Sequence, residues 1–71
     1  MKVKEKKIKI NEKEKKIIYL ISYGFTNEEI ATDLKVTNSS LQNTILNLLR
    51  KTNTFNRANL VRWGFENKYL K

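Results

Sequence analysis

The stretch Gly24-Phe25-Thr26-Asn27-Glu28-Glu29-Ile30-Ala31-Thr32-Asp33-Leu34-Lys35-Val36-Thr37 decides how this chain folds. Gly24 closes the helix before it, because a residue without Cβ takes the left-handed backbone of a helix end at little cost. Thr26 then offers an N-cap, and Glu29 three residues on completes the reciprocal T-x-x-E cap of a second helix. Its apolar face is Ile30, Ala31 and Leu34. Only Lys35 and Val36 separate this helix from Thr37, another N-cap, so the second and third helices meet through a very tight turn. Short helix, tight turn, longer helix is the helix-turn-helix layout, in which the longer helix reads DNA.

Moving outward toward the C-terminus, the third helix spans Thr37 to Lys51. It repeats apolar residues at Leu41, Ile45 and Leu48, a narrow stripe that Thr52 continues, and this stripe is expected to be core. The opposite face holds Ser39, Gln42, Asn43, Leu46, Asn47 and Arg50, a surface of amides and hydroxyls with one aliphatic in its middle. Asn53 suits a left-handed helix end and Asn56 caps the next helix, from about Arg57 to Glu66. That fourth helix has two apolar stripes: Leu60, Trp63 and Gly64 on one side, Ala58, Val61 and Phe65 on another. So small a domain cannot bury both. The first is expected to pack on the domain, and the second, with Arg62 among it, to meet a symmetric partner. Gly64 has two readings, a close approach of a neighbouring backbone or an early helix end.

Toward the N-terminus, Asn11 and Glu14 form a capping box before Ile17, Ile18, Leu20 and Ile21, which set the first helix. Met1 to Lys9 alternates lysine with Val3 and Ile8 and has no cap signal. It reads as a flexible basic arm, either a short strand or disordered, so the chain divides into an arm over 1–9 and one helical domain over 10–71. Fifteen basic and seven acidic residues give a net charge of +8, of which +5 lies in residues 1–16. Such an excess favours a polyanionic partner.

The composition excludes much. With neither Cys nor His among 71 residues, disulfides, the usual zinc ligand sets, thiol nucleophiles and imidazole bases are all absent. Glu28, Glu29 and Asp33 fall on a solvated helix face with no nucleophile or glycine loop beside them. The chain therefore reads as a non-enzyme without metal, cofactor or small-molecule ligand. Its longest apolar or aromatic run, Ile17 to Ile21, is far short of a membrane span, and no signal peptide follows the lysines, so the expected location is the cytoplasm.

From Ile10 to Leu70 the sequence resembles, without a gap, the GerE/LuxR-type domain of bacterial transcription regulators. Gly24-Phe25-Thr26-Asn27-Glu28-Glu29-Ile30-Ala31 is similar to that family's G-x-S/T-N-x-E-I-A signature. Leu34, Val36 and Thr37 fall on its L-x-I/V-S/T turn, Asn47 and Lys51 on the N and K of its third helix, and Asn56-Arg57 on the N-R that opens its fourth. The resemblance implies an all-α, four-helix helix-turn-helix fold and a stand-alone regulator controlled by its own abundance. Gln42 and Thr44 replace the lysine and histidine usual in the family, and Glu28 replaces a lysine, which removes phosphate contacts common there.

Residue by residue, Ser39, Gln42, Asn43 and Leu46 are the candidates for base reading. Gln and Asn bond adenine in bidentate fashion and an aliphatic packs on a thymine methyl, so the face suits A·T-containing sites. Thr26, Asn27, Thr37, Arg50 and Lys51 are the phosphate candidates, against the plainer reading of Thr26 and Thr37 as caps and of the cations as solvated. Ala58, Val61, Arg62 and Phe65 are the candidates for a homodimer interface. No charge lies between Asn38 and Leu49, so this helix alone holds DNA weakly. The arm is then either a tether to DNA or a solubilising tail. Two functions compete: a dimeric regulator that binds double-stranded DNA, and an interaction protein of the same fold that binds another regulator or an RNA polymerase subunit. The promoter-reading region of a sigma factor has similar E-E-I-A-type residues, but that region usually ends with its reading helix, and here Asn56-Arg57 opens a further one.

Overall fold

The computed structural model of the chain describes residues 9–70, which hold four α-helices and no strand: α1 (Glu12–Ser22), α2 (Asn27–Leu34), α3 (Asn38–Thr52) and α4 (Arg57–Glu66). The basic arm expected over 1–9 lies outside the described residues, apart from Lys9.

Each helix begins on the cap its sequence proposes. The Asn11 Oδ1 accepts from the Glu14 amide at 2.7 Å while Glu14 Oε1 accepts from the Asn11 amide at 3.0 Å. Thr26 and Glu29 repeat the arrangement on α2 at 3.1 and 2.9 Å. Thr37 and Asn56 accept from the Ser40 and Asn59 amides in the same way, but with Ser and Asn at the third position no carboxylate accepts the cap residue's own amide. A cap of this kind is worth about 1 kcal/mol, a useful sum in a chain so short.

Helix ends fix the turns. Gly24, at φ +86°, carries the chain out of α1, which stops two residues earlier at Ser22. Lys35 takes the left-handed conformation at φ 59°, unusual for a residue with a Cβ, and its amide and that of Val36 return to carbonyls of α2. Thr37 is extended, so Lys35, Val36 and Thr37 suffice to turn the chain from α2 into α3. Asn53 closes α3 in the same left-handed way, as its side chain allows.

One core lies where the helices meet. Ile17, Ile18, Ile30, Leu41, Leu48 and Leu60 are fully buried, joined by Leu20, Ile21, Ala31, Ile45 and Leu70. The α3 stripe is buried throughout, including Thr52, whose hydroxyl donates to the Leu48 carbonyl at 2.8 Å and lies 2.9 Å from the Thr54 hydroxyl. A polar side chain in this core is therefore satisfied rather than stranded. Leu34 is only half-buried.

α4 overturns one reading of Gly64 and changes the other. The helix runs two residues past it, so it is not an early helix end, and the backbone that comes close is the chain's own, at Tyr69 and Leu70, rather than a partner's. After α4 the chain reverses through Lys68, the Tyr69 amide bonds the Gly64 carbonyl at 2.8 Å, and Leu70 folds over the glycine. A Cβ there would sit 3.0 Å from Leu70 Cδ1 and 3.1 Å from Ile18 Cγ2. The two α4 stripes are also less distinct than expected. Leu60 and Gly64 are buried, while Trp63 is half-buried and stacks on Tyr69; Val61, from the other stripe, also packs on the core.

Leu48→Ala should cost about 2–5 kcal/mol, most of the stability of so small a domain, whereas Leu46→Ala, on the exposed face of the same helix, should stay within about 0.5 kcal/mol. Urea denaturation followed by circular dichroism measures both. Gly64→Val should lower stability by about 1–3 kcal/mol through overpacking against Ile18 and Leu70, read in the same assay.

Candidate nucleic-acid interface

Because the core takes Leu41, Ile45, Leu48 and Thr52, α3 turns its remaining side outward. Ser39, Gln42, Asn43, Leu46, Asn47 and Arg50 are all exposed on it, and Leu46 keeps 48% of its surface in contact with solvent. Thr44 lies at the edge of this face, half-buried, with its hydroxyl given to the Ser40 carbonyl. The four base-reading candidates thus share one continuous surface. It offers amide donors and acceptors, a hydroxyl and an aliphatic, the complement of base edges and a thymine methyl.

The phosphate candidates divide into two groups. Arg50 is exposed, and Thr26 and Thr37 stand at helix starts, where free amides and the helix dipole favour an anion, although each hydroxyl is already engaged as a cap. Asn27 and Lys51 are committed within the domain. The Lys51 ammonium donates to both oxygens of Glu14 at 2.8 and 3.1 Å, and the Glu14 side chain is only 13% exposed. The carboxylate that caps α1 therefore also ties the end of α3 to the start of α1. Asn27 accepts, through Oδ1, from the Arg57 guanidinium, which donates with its other nitrogen to the Phe25 carbonyl at 3.1 Å. Glu28 places an exposed carboxylate on the first turn of α2.

On α4, Ala58, Arg62 and Phe65 are exposed and Val61 is half-buried; Arg62 holds Glu66 at 3.3 Å in a solvent-exposed pair. Phe55, in the connection from α3 to α4, is 87% exposed and was not among the residues singled out from sequence. Sequence reasoning also passed over the Arg57 and Glu14 contacts. Each joins residues thirty or more positions apart, and no local spacing announces such a pair. The signals that existed were the N-R match at Asn56-Arg57 and the Glu14 capping box, which already gave that carboxylate a role.

Among the described residues no group of carboxylates is placed to hold a metal ion, and no helix is long and apolar enough to cross a membrane.

The sequence pattern of the family described as "Bacterial regulatory proteins, luxR family" (GerE) matches residues 9–64. The chain is 38% identical over 64 residues to a "Probable transcriptional regulator ycf29" of Pyropia yezoensis, covering 90% of this chain and 29% of that protein. The like-named protein of Porphyra purpurea is 40% identical over 58 residues, covering 82% of this chain and 28% of its own length. That of Cyanophora paradoxa is 31% identical over 70 residues, covering 96% and 33%. The chain spans about a third or less of the curated relatives it matches. With the family pattern running through all four helices, the chain belongs to the luxR (GerE) family of bacterial regulatory proteins.

Proposed function

We propose that this chain regulates transcription by binding duplex DNA, with α3 in the major groove, as a homodimer paired through α4. The observation that carries the reading is the exposed face Ser39, Gln42, Asn43 and Leu46, presented by a helix whose other side is locked into the core. Base reading belongs to these four residues. Arg50 and the starts of α2 and α3 hold phosphates, and Ala58, Arg62 and Phe65, with the outer edge of Val61, form the contact between subunits. Two-fold pairing matches a site of two half-sites about one helical turn apart. Residues 10–71 form the binding domain, and the lysines of residues 1–9 supply charge that α3 lacks. The names of the relatives, each a probable transcriptional regulator, support the regulatory reading.

A second reading is favoured by one observation: the reading face is uncharged from Asn38 to Leu49 and is centred on the half-exposed Leu46. Such a face also suits a protein partner, either another regulator or an RNA polymerase subunit. The two readings part on variants. If Gln42→Ala with Asn43→Ala leaves regulation intact while Phe65→Asp abolishes it, protein contact is the function. Phe65 serves better here than Val61, which also packs on the core.

For the DNA reading, selection from random duplexes should return a two-fold symmetric, A·T-containing site, and fluorescence anisotropy at several salt concentrations should show binding that weakens as salt rises. Binding indifferent to sequence, or none at low salt, would sink the proposal. Arg50→Gln should reduce the salt slope by about one. Lys51→Gln should reduce it less, because Glu14 already neutralises that ammonium. Phe65→Asp should convert the dimer to monomer in analytical ultracentrifugation and weaken two-half-site duplexes far more than single half-sites.

A further inference from the structure

α2 and α4 are the one pair of helices in this domain whose backbones do not pack together among the described residues. They are nevertheless joined, at their first turns, by a single guanidinium. Arg57 is the first residue of α4 and Asn27 the first of α2. One Arg57 nitrogen donates to Asn27 Oδ1, and the other donates to the Phe25 carbonyl at 3.1 Å. Both acceptors flank Thr26, the cap of α2. The segment they hold begins at Gly24, an exposed residue in left-handed backbone with nothing within 4 Å of where its Cβ would be. Backbone bonds from the Gly24 and Phe25 amides to the Ile21 and Leu20 carbonyls, at 2.9 and 3.2 Å, hold the turn, and Ile30 and Ala31 seat α2 in the core; the Arg57 fork adds a side-chain tie at the α2 start.

Arg57 itself is half-buried. A guanidinium presents its donors in a rigid planar fork, so it fixes two acceptors at once in a way that an ammonium on a flexible stem does not. We infer that Arg57 is a positioning residue for DNA binding: its fork sets the first turn of α2 at the height and angle where its free amides meet a phosphate, and it links that grip to the helix that pairs the subunits. The inference rests on the DNA-binding reading above. It assigns Arg57 no direct contact with DNA and Asn27 no primary role as a phosphate ligand; Asn27 serves as the acceptor through which α2 is held.

A double-mutant cycle on duplex affinity tests this, using the full chain and two probes, the selected duplex and a random duplex of equal length. Arg57→Ala and Asn27→Ala should each weaken both duplexes by about fivefold or more, leaving their ratio unchanged, as expected for a phosphate contact. The double variant should be no weaker than the weaker single, because both break one clamp. Arg57→Lys, which keeps the charge and loses the fork, should behave like Arg57→Ala. Circular dichroism and thermal melts establish that each variant is folded at the assay temperature. Additive losses, or full rescue by Arg57→Lys, would make Arg57 a direct phosphate cation and overturn the positioning role. Folded variants that bind like the parent would overturn it as well. If Arg57→Ala does not fold, Asn27→Ala and Arg57→Lys carry the same comparison. A parent chain that binds neither duplex at low salt sinks the DNA-binding reading and this inference with it, whereas a binding parent with indifferent variants sinks the inference alone.

Discussion

The burial of one stripe of α3 against the other three helices is the constraint from which the rest of this domain follows. The chain has no cysteine to form a disulfide, and its described residues share a single core of eleven apolar side chains plus Thr52, to which α3 supplies Leu41, Ile45 and Leu48. A helix with a strip of its circumference so fixed has no rotational freedom left. Whatever stands on its other side is displayed at a set angle, which is what recognition of a rigid duplex requires. α1 and α4 pack around that stripe, and α2 is leaned against α3 by a three-residue turn. The exposed face of α3 is thus a by-product of core packing, and on the proposed reading a loosened core would blur recognition before it abolished the fold.

Charge is distributed with the same economy. α3 carries only Arg50 and Lys51, at its end, where cations suit the helix dipole, and Lys51 is taken up by Glu14. On the proposed reading, discrimination and grip come from different parts of the molecule: amides on α3 discriminate, while helix starts, Arg50 and a second subunit hold. Such a division gives a binder whose strength is set by pairing and ionic conditions, and whose choice of site is set by four side chains.

The helices were legible in the sequence because their signals are local. Asn11, Thr26, Thr37 and Asn56 each cap within three residues, and the α3 stripe recurs with helical period, so boundaries and core fell within a residue or two. What approaches Gly64 was not legible, because Leu70 arrives only after the chain reverses through Lys68, a left-handed residue without the glycine that would have announced the turn. The tight α2–α3 turn was legible in its length, whereas the left-handed backbone of Lys35 that makes it was not. At the site, surface position followed from periodicity, whereas the commitment of Lys51 and Asn27 to partners far along the chain did not. A charge pattern says which side chains are available to bond, and only the fold says which are already bonded.

Glu14 draws these threads together. Its carboxylate closes the cap of α1 with Asn11 and receives Lys51 from the far end of α3, so one side chain answers to two helices. A substitution at position 11, 14 or 51 therefore alters the surroundings of the other two. A change at 51 to a neutral residue leaves a poorly hydrated carboxylate behind, and a change at 14 undoes a helix start while releasing a cation in the last turn of α3. On the proposed reading, a route to a stronger and less selective hold on nucleic acid thus starts at an acidic residue outside α3.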